Sequence, residues 1–118
     1  MEGDLWRWAS RTLQRHRKNG YRLKLKRCDV YLLGLKALKV GCPLCGCELI
    51  PTSSDNCQLN NEVSLDVINP KRKVLDRENC RVLCCACNNS KANGDDKTYI
   101  ERCVRVAEKH GGKINEFN

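Results

Sequence analysis

Apolar and polar positions along this chain recur in two periods, and the change from one to the other marks its elements. Leu5, Trp8, Ala9, Thr12 and Leu13 follow the i, i+3, i+4, i+7, i+8 spacing of one buried helix face. Asp4 stands where it can cap that helix, and Asn19-Gly20 is a good stop. His16 continues the apolar face, which predicts a packed histidine under the helix end. Arg7, Arg11, Arg15, Arg17 and Lys18 fall largely on the rest of the surface. Residues 21–26 then alternate apolar with basic, the period of a strand buried on one side. Its outward row of Arg22, Lys24 and Lys26 predicts a cationic ridge, of the kind that contacts phosphates rather than base edges. Asp29 is expected to cap a second helix reaching about Leu38, with Val30, Leu33, Ala37 and Leu38 inward and Gly34 weakening it.

Past Gly41 the pattern is shorter and more polar. Residues 51–61 are rich in Thr, Ser, Asp and Asn and predict an exposed loop. Residues 62–68 predict a strand, buried in part by Leu65 and Ile68 and ended by Pro70, which cannot donate to a ladder. The cluster Lys71-Arg72-Lys73 sits in the following loop, placed for a phosphate backbone or simply for solvent. Residues 80–83 predict a second strand folding back on the first as a hairpin. A helix is expected from near Cys87 to Ala92, stopped by Asn93-Gly94. A last helix is expected over 99–110, with Ile100, Cys103, Val104 and Ala107 inward and Gly111-Gly112 at its end.

Cysteine spacing changes this picture most. Cys42-Pro43-Leu44-Cys45 and Cys84-Cys85-Ala86-Cys87 are two Cys-x-x-Cys knuckles, each able to deliver two thiolates to a tetrahedral zinc. Pro43 stiffens the first, and Gly46 behind it suits the positive φ of a tight turn. A chain of 118 residues has a small core and gains from such a staple. The N-terminus leads into a charged amphipathic stretch rather than a signal peptide, so the cysteines are expected to be reduced and the protein intracellular. On that reading Cys28, Cys47, Cys57, Cys80, Cys85 and Cys103 are small buried hydrophobes or free thiols. No apolar run reaches membrane-spanning length, so no membrane partner is expected.

Charge is distributed unevenly. Residues 1–41 carry 11 Lys or Arg against 3 Asp or Glu, and residues 42–118 carry 11 against 11. The whole net charge of +8 therefore resides in the N-terminal third. A neutral metal module with a basic extension points to a polyanionic partner, nucleic acid before an acidic protein.

The order of polar residues around the knuckles resembles the HNH (ββα-metal) endonuclease superfamily, in its zinc-braced branch with phage and archaeal members. The matching residues are Cys42-Pro43-x-Cys45-Gly46, then Ser64-Leu65-Asp66-x-Ile68-x-Pro70, then Glu78-Asn79-x-Arg81-Val82-Leu83-Cys84-x-x-Cys87-Asn88-x-x-Lys91. The resemblance covers about fifty residues. It implies an α+β, zinc-stapled ββα-metal module over 42–118, preceded by a basic helix-strand-helix extension over 1–41 that binds nucleic acid. It also implies a Mg²⁺- or Mn²⁺-dependent DNA endonuclease, hydrolysing phosphodiester bonds inside the cell, in cytoplasm, nucleoid or a virus-infected host. Asp66 and Asn88 would hold the catalytic ion, as a carboxylate and an amide oxygen suit a hard cation. Asn79 would orient the base or the local backbone, and Lys91 would meet a phosphate.

One position departs from the pattern: many members carry His after the Asp, and this chain carries Val67. An aliphatic side chain cannot accept a proton, so a base must come from elsewhere, with His16 as a candidate if the first helix packs against the module. Two other readings stand beside the enzyme: a DNA-binding protein with the same architecture and no catalysis, and a zinc-stapled module that meets protein or RNA.

Overall fold

The structure is a computed structural model that describes residues 2–52 and 57–111. Among these residues the chain forms a mixed α+β fold with four helices and two two-stranded sheets. The helix α1 (Glu2–Lys18) starts before the expected cap; Asp4 lies inside its first turn and pairs with Arg7 at 2.6 Å. Leu5, Trp8, Ala9, Thr12 and Leu13 are all buried, as their spacing predicts. The strand β1 is confined to Arg22–Leu23, although burial keeps alternating through Lys26.

The second helix, α2 (Arg27–Val40), starts three residues earlier than expected. Lys26 is its N-cap, and Asp29 three residues on accepts from the Lys26 backbone N–H at 2.8 Å. Asp29 therefore supports the first turn from inside, where its charge also suits the helix dipole. Gly34 marks where α2 crosses α1. A Cβ built there would lie 2.9 Å from Leu5 Cδ1 and 3.0 Å from Trp8 Cζ3, so the missing side chain is what lets the helices approach.

The hairpin forms as its alternation predicts. β2 (Val63–Val67) runs antiparallel to β4 (Cys80–Cys84), with Leu65 opposite Val82 and Asp66 opposite Arg81. Between them β3 (Val74–Leu75) leaves the hairpin and pairs in parallel with β1, a long-range ladder that local sequence does not announce. The chain turns from β4 straight into α3 (Cys85–Lys91) and then α4 (Asp96–Lys109). Both of these helices begin earlier than expected, α3 by two residues and α4 by three.

One apolar core runs through all of this, joining Leu5, Trp8, Leu25 and Val30 to Val63, Leu65, Leu75, Val82 and Leu83. Each fully buried aliphatic side chain contributes about 1.5–3 kcal/mol. Ile68 is left outside the core, exposed. So is the stripe Ile100, Cys103, Val104 and Ala107, expected to face inward. Of the α4 side chains described here Tyr99 packs against the apolar core, and the helix leaves that core after its first turn. Among the described residues, no helix is long and apolar enough to cross a membrane.

Candidate metal centre and the charge cluster beside it

Gly41, at φ +91°, turns the chain out of α2, and a Cβ there would strike the Cys47 carbonyl at 2.9 Å. The turn is closed by Cys42 N–H donating to Cys47 O at 3.0 Å and Gly46 N–H to Cys42 O at 2.8 Å. Gly46 has the positive φ (+76°) expected of it. The second knuckle is the junction of β4 and α3, where Cys84 caps the helix and its Sγ accepts from Cys87 N–H at 3.3 Å. Hairpin pairing brings that junction against the first knuckle, so that Cys84 N–H donates to Cys42 Sγ at 3.4 Å.

The Sγ atoms of Cys42, Cys45, Cys84 and Cys87 all lie within 4.8 Å of one another, with Cys45 and Cys84 3.7 Å apart. A tetrahedral zinc about 2.3 Å from each sulfur spaces them about 3.8 Å apart, so the donor set and its spread fit the ion. Without a cation, Cys42 differs in acidity from Cys84 and Cys87. Burial pushes Cys84 and Cys87 up to about 12. For Cys42 burial acts the same way, but donors from the backbones of Cys45, Cys84 and Leu44 outweigh it and hold the thiol at about 7. A bound divalent ion supplies the positive charge that reverses the burial effect. Tyr99 Oη donates to Cys87 Sγ at 3.5 Å, tying α4 to the centre.

Two other cysteines correct the expectation of reduced thiols. Cys57 and Cys85 form a disulfide that fastens the chain at Cys57 to the second knuckle. Their partnership is invisible in the sequence because Cys57 stands alone and Cys85 is interposed between two metal-binding positions.

A buried charge cluster lies on the adjoining face of the hairpin. Alternation along β2 sends Ser64 and Asp66 to one side and Val63, Leu65 and Val67 to the core side. Across from Asp66 stands Arg81, whose Nε donates to Asp66 Oδ2 at 3.0 Å. Lys91 Nζ lies 3.4 Å from the other oxygen, Oδ1, and donates to Gly94 O at 3.0 Å. Arg81 then turns its two remaining nitrogens to Asp96 at the start of α4, Nη1 reaching Oδ2 at 2.7 Å and Nη2 reaching Oδ1. That pairing with Asp96 raises the affinity of Arg81 for its proton and lowers that of Asp96. Asn88 Nδ2 donates to Ser64 Oγ at 2.6 Å and lies 3.4 Å from Leu65 O, bracing α3 on β2.

The structure thus gathers Asp66, Asn88 and Lys91 on one face, and the other expected site residues elsewhere. Lys91 is buried in an ion pair rather than exposed to a phosphate. Asn79 is a clamp on the 69–74 loop: Oδ1 accepts from Asn69 N–H, and Nδ2 lies within 3.3 Å of the Asn69, Arg72 and Val74 carbonyls. His16 is buried and donates Nδ1–H to Thr12 O at 2.6 Å. Val67 faces the core, so a histidine at that position would point away from Asp66. Arg22, Lys24, Lys26, Lys71, Arg72 and Lys73 are all exposed.

A divalent ion at Asp66 and Asn88 does not fit this arrangement. Both carboxylate oxygens of Asp66 are engaged by cationic partners, and the two acids of the cluster are matched by two bases. Arg81 belongs to the matched pattern but carries no assigned role there, and Asp96 lies outside that pattern. The hairpin register carries the signal for Arg81, since opposite charges directly across a ladder stabilise one another. Compared with known proteins, the chain matches no family model, no curated protein and no solved structure.

Proposed function

We propose that the chain is a zinc-stapled, HNH-like module that binds DNA through its phosphate backbone. The observation that carries this reading is the parallel pairing of β1 with β3. Arg22 N–H donates to Lys73 O at 2.8 Å and Lys24 N–H to Leu75 O at 2.9 Å, while Lys73 Nζ lies 4.5 Å from the centre of the Tyr21 ring. Two basic stretches far apart in sequence therefore share one exposed edge, which carries Arg22, Lys24, Lys71 and Lys73. Arg72 is partly neutralised by Asp76 at 3.0 Å. The clamp made by Asn79 holds the loop that contributes the second stretch. Such a row of flexible cations suits a phosphate backbone and has few groups able to read bases.

Replacing Arg22, Lys24 and Lys73 together by Ala tests the reading. Affinity for duplex DNA is expected to fall to a similar extent across sequences. The plot of log affinity against log salt should flatten by about 0.9 for each phosphate that is no longer neutralised. Affinity and slope that do not change would move the interface elsewhere, and stronger binding to RNA or to an acidic protein would change the partner.

Metal-dependent endonuclease is the second reading, favoured by Asn88, the residue after the last cysteine of the cluster, lying against Ser64 on the face of β2 that also carries Asp66. It requires Lys91 to leave Asp66 before Mg²⁺ or Mn²⁺ is held there. Incubating supercoiled plasmid with either ion separates the two readings. Nicking by the wild type that disappears in Asp66→Asn, with zinc content intact, supports the enzyme. No nicking, or nicking that survives the substitution, removes it.

A further inference from the structure

The two cations of the buried cluster are covered from outside by a single carboxylate. Asp66 and Lys91 are sealed, with side chains 3% and 2% exposed, whereas the Asp96 side chain is 38% exposed. Asp96 occupies the two-nitrogen edge of Arg81 and lies 4.0 Å from Lys91 Nζ. It is carried on the first residue of α4, a helix with no buried residue of its own. Apart from this pair, the hydrogen bond from Tyr99 to Cys87 is what holds the first turn of α4 to the metal centre.

We propose that Arg81 and Lys91 form a phosphate seat, and that Asp96 is its built-in competitor, closing the seat until a backbone phosphate displaces it. The proposal rests on the reading of DNA as partner. Two oxygens of a phosphate present the guanidinium edge with the geometry a carboxylate offers, so one anion can replace the other on the same donors. With Asp96 in place, the two acids and two bases of the cluster sum to zero. With Asp96 withdrawn, Asp66 leaves one positive charge unmatched and turned towards solvent, which a phosphodiester neutralises. Asp96 competes with a local advantage, because the N-terminal end of α4 also favours a negative charge. The neighbouring Asp95 has a different role, capping α4 with its Oδ1 accepting from Thr98 N–H at 2.8 Å.

The test compares zinc-loaded wild type, Asp96→Asn and Asp95→Asn for binding of a short fluorescent DNA duplex by anisotropy. Asn keeps a hydrogen bond to Arg81 and keeps the cap at 95, and matched zinc content and melting temperature establish that each variant is folded. Asp96→Asn is expected to bind about tenfold tighter than wild type, the worth of one charge-assisted hydrogen bond, at an unchanged salt slope because a phosphate fills the seat in both. Asp95→Asn makes the same change of charge and should leave both quantities near wild type. Equal gains in the two variants, or none in either, overturn the proposal. A second measurement needs no DNA. Titration with inorganic phosphate should move the Arg81 Nε–H resonance in Asp96→Asn and not in wild type; no movement in either sinks the seat. If that resonance moves while no form of the protein binds DNA, the seat stands and the partner has been misread.

Discussion

His16 is the clearest case of a single side chain whose chemistry follows from where the fold puts it. Burial at the end of α1 lowers its proton affinity; the bond to the Thr12 carbonyl works against that, and the charge on Arg15 adds to it. Its ring also packs edge-on against Tyr21, with centroids 5.4 Å apart. The folded form therefore prefers a neutral ring. Above the ordinary histidine range, near 6.5, folded and unfolded chains bind equal numbers of protons there. Below it the unfolded chain takes up a proton first, so stability declines as pH falls towards the depressed folded value. Melting curves of wild type and His16→Gln at about pH 7.5 and 5.5 check this. Wild type is expected to lose more stability than the variant on acidification. Equal losses would place the pH dependence elsewhere, in the thiol centre before all.

At the scale of elements, the α1–α2 crossing shows packing overruling propensity. Gly34 weakens α2 as an isolated helix, and Ala there would be favoured by about 1 kcal/mol on propensity alone. The crossing leaves no room for it, since Leu5 and Trp8 stand at 2.9 and 3.0 Å from the added carbon. Overpacking of this kind costs about 1–3 kcal/mol, so Gly34→Ala should lower the melting temperature by a few degrees. A melting temperature unchanged or raised would mean that α1 can shift outward at little cost. The same contrast explains α4. Its apolar spacing is that of a buried helix, but nothing among the described residues lies over Ile100, Cys103, Val104 and Ala107. Periodicity reports an apolar face, not what covers it.

Across the whole molecule, the four-thiol cluster, which could hold a metal ion, brings the end of α2 to the junction of β4 and α3, and Tyr99 links it to α4. The disulfide adds the segment at Cys57 to the same junction. A chain of this size buries too little apolar surface to be indifferent to such ties. Elemental analysis should find one zinc per chain, and removing it with a chelator should unfold the protein, because metal binding and folding are coupled. Cys84→Ser is expected to have the same effect on stability, its buried thiolate being part of the hairpin end as well as of the centre. Folded protein free of zinc would rule out the structural role.

Much of this was legible in the chain of letters, for a local reason. Helix faces, strand alternation and the spacing of two cysteine knuckles are short-range patterns, and each states its own geometry. The buried face of α1, the β2–β4 hairpin, the four clustered thiols and the packed state of His16 all follow from such patterns. What the sequence left open depends on segments meeting at a distance. Parallel pairing of β1 with β3 brings Arg22 alongside Lys73. Hairpin register sets Arg81 against Asp66, and the turn into α4 then lays Asp96 over Arg81. The disulfide from Cys57 to Cys85 likewise depends on where a loop comes to rest. In each case the deciding term is the meeting of distant residues, which has no period and no spacing to show before the chain has folded.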